Sequence, residues 1–142
     1  MPAISVHLPR IKEHFEVIEE SIKLGIEKRP ATLAFNASAC SIDLLETYLH
    51  KLGKISIGAQ IKHEWFKRPK PGQKILPLAE RKLAIDFPAK KESFELLYEI
   101  EERRNKLIYG KPTKADTEIL LTAFDKLKIR LLGLLAKEGV EL

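Results

Sequence analysis

Apolar residues recur along much of this chain with the period of an α-helix, and no segment alternates with the period of a half-exposed strand. Ile11, Phe15, Ile18, Ile22 and Ile26 follow one another at spacings of four, three, four and four, with Lys12, Glu13, Glu16, Glu19 and Glu20 between them. Leu120, Phe124, Leu127, Leu131 and Leu134 repeat the pattern near the other end. The pattern predicts an all-α fold. Helices are expected over Leu8–Lys28, with Pro9 in the first turn, and over Ala31–Leu52, closed by Gly53. The small residues of the second helix (Ala34, Ala37, Ser38, Ala39 and Ser41) suit a central element that its neighbours approach closely. A third helix, Lys90–Tyr109, ends at Gly110, and a fourth is capped by Thr113 and Asp116. Between residues 54 and 88 the pattern weakens. Short helices are expected within Ile55–Trp65 and Gln73–Ile85, separated by the helix-breaking run Lys67–Gly72. The whole reads as one domain, 1–142, an antiparallel bundle of four long helices and a short crossover helix.

Composition narrows the function classes. A chain of 142 residues with 44% hydrophobic and 32% charged residues has enough apolar material for a core of its own, which excludes a disordered or collagen-like polymer. The single cysteine excludes an intramolecular disulfide framework, and Cys40, between Ala39 and Ser41, is expected to be a small buried residue in a reducing compartment. The first ten residues lack a signal-peptide pattern, and no run approaches the roughly 18 apolar residues of a membrane span, so the expected location is cytoplasmic and away from membranes. A formal charge of +5 permits contact with nucleic acid. Asn36, Asn105, Gln60 and Gln73 are the whole amide complement, against abundant Lys, Glu, Ile and Leu, a balance associated with thermophiles.

There is no phosphate-binding glycine loop, no paired cysteine, no histidine pair at metal spacing on a helix and no nucleophile elbow, so neither a metal nor a cofactor is expected. The histidines, His7, His14, His50 and His63, are scattered, and His63 stands out only for lying beside a basic loop. Arg104 is the anomaly. It follows Phe94 and Leu97 on the face that should be apolar, where a guanidinium needs a carboxylate, a partner chain or a phosphate. Glu101 is the nearest intrahelical partner, and Asn105 adds an amide that serves either an internal network or a ligand.

The run Arg104-Asn105-Lys106-Leu107-Ile108-Tyr109-Gly110, on the penultimate helix of a chain with two long helices before it and one after, resembles the motif of HEPN domains: an Arg and a polar residue, followed a few positions later by a His. The resemblance implies a small helical bundle that pairs as a homodimer, with two motifs in one cleft that in active members cuts RNA without a metal. It also implies either a toxin-type component paired with a nucleotidyltransferase or a silent module that binds such a protein partner. On that reading Arg104, Asn105 and Tyr109 are the catalytic candidates. Tyr109 stands where the family has His, and a phenol that titrates near about 10 is a poor base compared with an imidazole near about 6.5. Aromatic and cationic residues around the basic loop, Lys62, Trp65, Lys67, Arg68 and Lys70, together with Arg103 and Lys106, are the candidate RNA contacts. Alternatively, Trp65 and Phe66 anchor the crossover and the cations are simply solvated.

Overall fold

The computed structural model describes residues 2–56 and 58–142, with side chains from residue 4 onward. It is an all-α bundle: α1 (Pro2–Leu24), α2 (Pro30–Lys51), a single 3-10 turn (His63–Phe66), a short α3 (Leu78–Lys82), α4 (Lys90–Tyr109) and α5 (Lys114–Lys137). Among the described residues no helix is long and apolar enough to cross a membrane.

α2 is the central element. Leu33, Ala34, Ala37, Cys40, Ser41, Leu44, Leu45 and Leu49 are all buried, and the helix packs on α1, α4 and α5. A helix apolar on one stripe needs one neighbour, whereas one buried almost all round needs several, and the small side chains leave room for them. Its buried hydroxyls are satisfied locally: Ser41 Oγ donates to the Ala37 carbonyl at 2.6 Å and Thr47 Oγ1 to the Asp43 carbonyl at 2.6 Å. Cys40 is fully buried, and burial pushes its thiol up to about 12, so it packs as a small neutral residue. α5 contributes Leu120, Phe124, Leu127, Leu131 and Leu135. Each such side chain stabilises the fold by about 1.5–3 kcal/mol relative to exposure. The buried seam ends on Leu135, with Leu134 only half-buried.

Three boundaries differ from expectation, each for a local reason. α1 starts earlier, so Pro9 is an interior residue, and it stops at Leu24 because Gly25 takes φ +112°, a left-handed conformation open to glycine. Among the described residues of 55–62 there is no helix: Gly58 has φ +86°, and the Ile61 N–H donates to Glu46 Oε2 at 2.8 Å instead of to a helical carbonyl. α3 is only Leu78–Lys82, because Pro77 disfavours helical backbone at the residue before it. At the other end of the scale, α4 begins and ends where expected. Gly110 is required there, since a Cβ at that position would stand 2.9 Å from the Lys106 carbonyl oxygen.

The crossover is held by aromatic packing. The Phe66 ring meets Phe94 edge-on at 5.2 Å and tilts against Tyr98 at 5.9 Å, and Phe87 packs on Phe94 at 6.0 Å and Tyr48 at 6.3 Å. This cluster docks the 3-10 turn, and with it His63, onto α4.

Candidate functional site

A cleft of about 440 Å³ opens where α1, α2, residues 60–64 and α4 meet. Its chemistry comes from Arg10 and His14 on α1, Asp43 and Glu46 on α2, His63 in the crossover and Arg104 on α4. Two polar networks form its walls.

On the α4 side, Glu101 and Arg104 occupy core-facing positions after Phe94 and Leu97, with exposures of 4% and 8%. Their partners differ from the simple intrahelical pair. His63 Nδ1 lies 2.8 Å from Glu101 Oε1, and Asn105 Nδ2 donates to Glu101 Oε2 at 3.4 Å. A carboxylate only accepts, so His63 Nδ1 carries the proton of that bond, while its Nε2 lies 3.3 Å from Glu64 Oε2. Arg104 touches this network only through Asn105, whose Oδ1 accepts from it at 3.4 Å. Among the described residues, no carboxylate lies within 4 Å of its guanidinium nitrogens. A buried guanidinium with one long hydrogen bond, facing a cleft, retains most of its donor capacity for something else.

On the opposite wall Asp43 is the hub. Its Oδ1 lies 2.9 Å from His7 Nδ1 and accepts from Arg10 at 3.2 Å, and its Oδ2 stands 3.7 Å from His14 Nε2. Burial works against its charge, yet the hydrogen bonds from His14 and His7 and the charge of Arg10 hold it down at about 2. The same bond to Asp43, helped by Glu46 at 3.0 Å from His7 Nε2, raises His7 to about 9. His14 is raised as well, by Asp43 first and by Asn36, whose Oδ1 lies 2.8 Å from its Nδ1. The cleft therefore offers on one wall an imidazole whose charged form Asp43 favours and on the other an imidazole oriented by Glu101.

The sequence-predicted residues divide accordingly. Arg104 lines the cleft, Asn105 links it to Glu101, and Lys62 stands at the rim. Tyr109 does not join them: it is 78% exposed and is not among the cleft's residues. Five positions along a helix correspond to about 140° around its axis, so Tyr109 and Arg104 face different ways. Two of the expected RNA contacts are engaged within the fold. Arg103 pairs with Glu99 at 3.1 Å and Asp116 at 3.0 Å, joining α4 to the start of α5. Arg68 donates to Glu102 and to Glu95 at 3.1 Å, and its guanidinium lies 5.6 Å from the Tyr98 ring centre. Trp65 is half-buried with Lys82 Nζ 5.9 Å from its ring centre, while Lys67, Lys70 and Lys106 are exposed. Sequence reasoning missed Arg10, His14, Asp43 and Glu46. Their signal was polar residues at helical spacing: His7, Arg10 and His14 on one helix, and Asp43, Glu46 and His50 on the next.

No family model, curated protein or solved structure matches this chain.

Proposed function

We propose that the cleft takes a phosphodiester of single-stranded RNA, in the manner of an HEPN-like protein, with Arg104 as the phosphate anchor. The observation that carries this reading is the Arg104 guanidinium: buried, facing a cleft, and without a carboxylate within 4 Å among the described residues. A phosphate supplies the fork of acceptors that the fold leaves out. Asn105 orients the guanidinium and Glu101 orients His63. His63 then takes the part that the family's His plays and that the phenol of Tyr109 is unsuited to. Once RNA displaces the exposed Glu64 carboxylate from its side, the Nε2 of His63 in the ring's neutral form removes the proton of the ribose 2′-hydroxyl, the oxygen attacks the adjacent phosphorus, and the 5′-oxygen leaves with a proton from His14 on the other wall. The products are a cyclic 2′,3′-phosphate and a free 5′-hydroxyl.

The test is cleavage of labelled single-stranded RNA by the full chain in the presence of a chelator, with products resolved on a gel. His63→Gln and Arg104→Ala should each lower the rate at least tenfold, and Arg104→Ala should also weaken binding. Tyr109→Phe should leave the rate within twofold. Wild type that neither binds nor cleaves RNA overturns the reading.

One observation favours a second reading, a silent helical homodimer that binds a nucleotidyltransferase-type protein. Tyr109, at the family's His position, projects from the end of α4, and Ile129 on α5 is 73% exposed. Covering Ile129 against a second copy of the chain would remove that apolar area from water. Light scattering at micromolar concentration tests the homodimer, and Ile129→Lys should convert a dimer to a monomer.

A further inference from the structure

Behind the wall of the cleft, His7, Glu46 and His50 present one ligand-type atom each, all within 4.8 Å of one another, and all three side chains are buried. The geometry points to a binding site here for one divalent transition-metal ion of the zinc class, held by His7, Glu46 and His50. This site is separate from the RNA reading and does not depend on it.

Four observations support it. His50 is only 5% exposed, yet its Nδ1 is buried without a hydrogen-bond partner, against the strong tendency of buried polar atoms to be paired. His7 Nε2 and Glu46 Oε1 are 3.0 Å apart, close to the spacing of about 3.4 Å between neighbouring ligands of a tetrahedral zinc. The His7 and His50 rings stack with centres 5.8 Å apart and planes 26° from parallel, which brings the two imidazoles side by side at this point. Finally, His7 Nδ1 is 2.9 Å from Asp43 Oδ1, so a carboxylate already fixes the ring with Nε2 toward the other two ligands, as outer carboxylates do at zinc–histidine sites.

Two imidazoles and a carboxylate select zinc-like ions over magnesium or calcium, which prefer all-oxygen sites. Three protein ligands leave a coordination position for water. Glu46 and His50 are four residues apart on α2, so they share a helix face, and His7 reaches them from α1. The other Glu46 oxygen accepts the Ile61 N–H at 2.8 Å. An ion at this point therefore ties α1, α2 and the segment leading to His63 together.

The full chain, stripped with a chelator, is titrated with cobalt chloride and followed by visible absorption. The expected result is one equivalent of Co²⁺ with intense low-symmetry bands, bleached by Zn²⁺ and unaffected by a hundredfold excess of Mg²⁺ or Ca²⁺. His50→Leu and Glu46→Gln should each weaken binding at least a hundredfold; the Gln amide oxygen still accepts the Ile61 N–H. In the wild type, Zn²⁺ should move the imidazole resonances of His7 and His50 and leave those of His63 in place, which decides the matter even if a variant fails to fold. No cobalt bands in folded wild type, zinc binding weaker than millimolar, or binding undiminished in folded His50→Leu would overturn the site and leave His7 and Glu46 as an ion pair.

Discussion

Replacing Arg104 with methionine separates a structural arginine from a functional one. If Arg104 only closed a network with Glu101, its removal would leave a buried carboxylate unpaired, a loss of about 3 kcal/mol. The structure reverses that estimate. Glu101 keeps His63 at 2.8 Å and Asn105 at 3.4 Å whether or not Arg104 is present. What the variant loses is one 3.4 Å hydrogen bond to Asn105, at the weak end of a range worth about 0.5–1.5 kcal/mol. What it gains is relief from desolvating a guanidinium that is 8% exposed, a cost of similar or larger size, while the methionine preserves packing along the stem. The expected net change is within about 1 kcal/mol of zero. Guanidinium chloride unfolding should therefore show wild type and Arg104→Met superimposed to that margin, while the variant loses at least tenfold in RNA affinity at low salt. Glu101→Leu is the contrasting case: it strands His63 and Asn105 and should cost about 2–3 kcal/mol. An Arg104→Met protein destabilised by 3 kcal/mol or more refutes the reasoning, since it would mean that the guanidinium belongs to the fold.

Three further outcomes follow from the same geometry. His7 titrates near 9 against an ordinary 6.5, so its contribution to stability is complete below pH 6.5 and lost as pH rises through 9; Asp43, lowered from 3.8 to about 2, contributes above pH 3.8 and loses that as pH falls through 2. In chelator, unfolding free energy should peak between about pH 4 and 6.5 and fall by about 3 kcal/mol toward pH 10, with Asp43→Asn at least halving the alkaline slope. Phe66→Ala should cost about 3–5 kcal/mol by thermal or denaturant melts, because it empties the centre of the aromatic cluster that docks the crossover. Lys67→Glu with Lys70→Glu should weaken RNA binding and flatten its salt dependence in a fluorescence titration, whereas Arg68→Ala, which breaks ion pairs to α4, should register mainly in the melting temperature.

Helix signals that act over a few residues could be read directly from the chain. Pro30 and Gly53 bracket α2, Gly110 ends α4, and Thr113 caps α5 by accepting the Asp116 N–H at 3.1 Å. Even the inward position of Arg104 was legible, because it shares the helical stripe of Phe94 and Leu97, and position on a stripe is a local property. What satisfies Arg104 was not. His63 and Glu101 are 38 residues apart and His7 and Asp43 are 36, and no periodicity links the members of either pair. Their meeting depends on where the crossover docks, which is decided by Phe66 settling among Phe94 and Tyr98 and by the Ile61 N–H reaching Glu46. Tyr109 shows the same division from the other side: one-dimensional spacing placed it beside Arg104 in a motif, and the helical turn carried it to a different face. Local sequence sets which backbone hydrogen bonds a segment can make within itself, whereas a buried charge takes whatever partner the packed chain brings near, and that choice exists only once the helices have assembled.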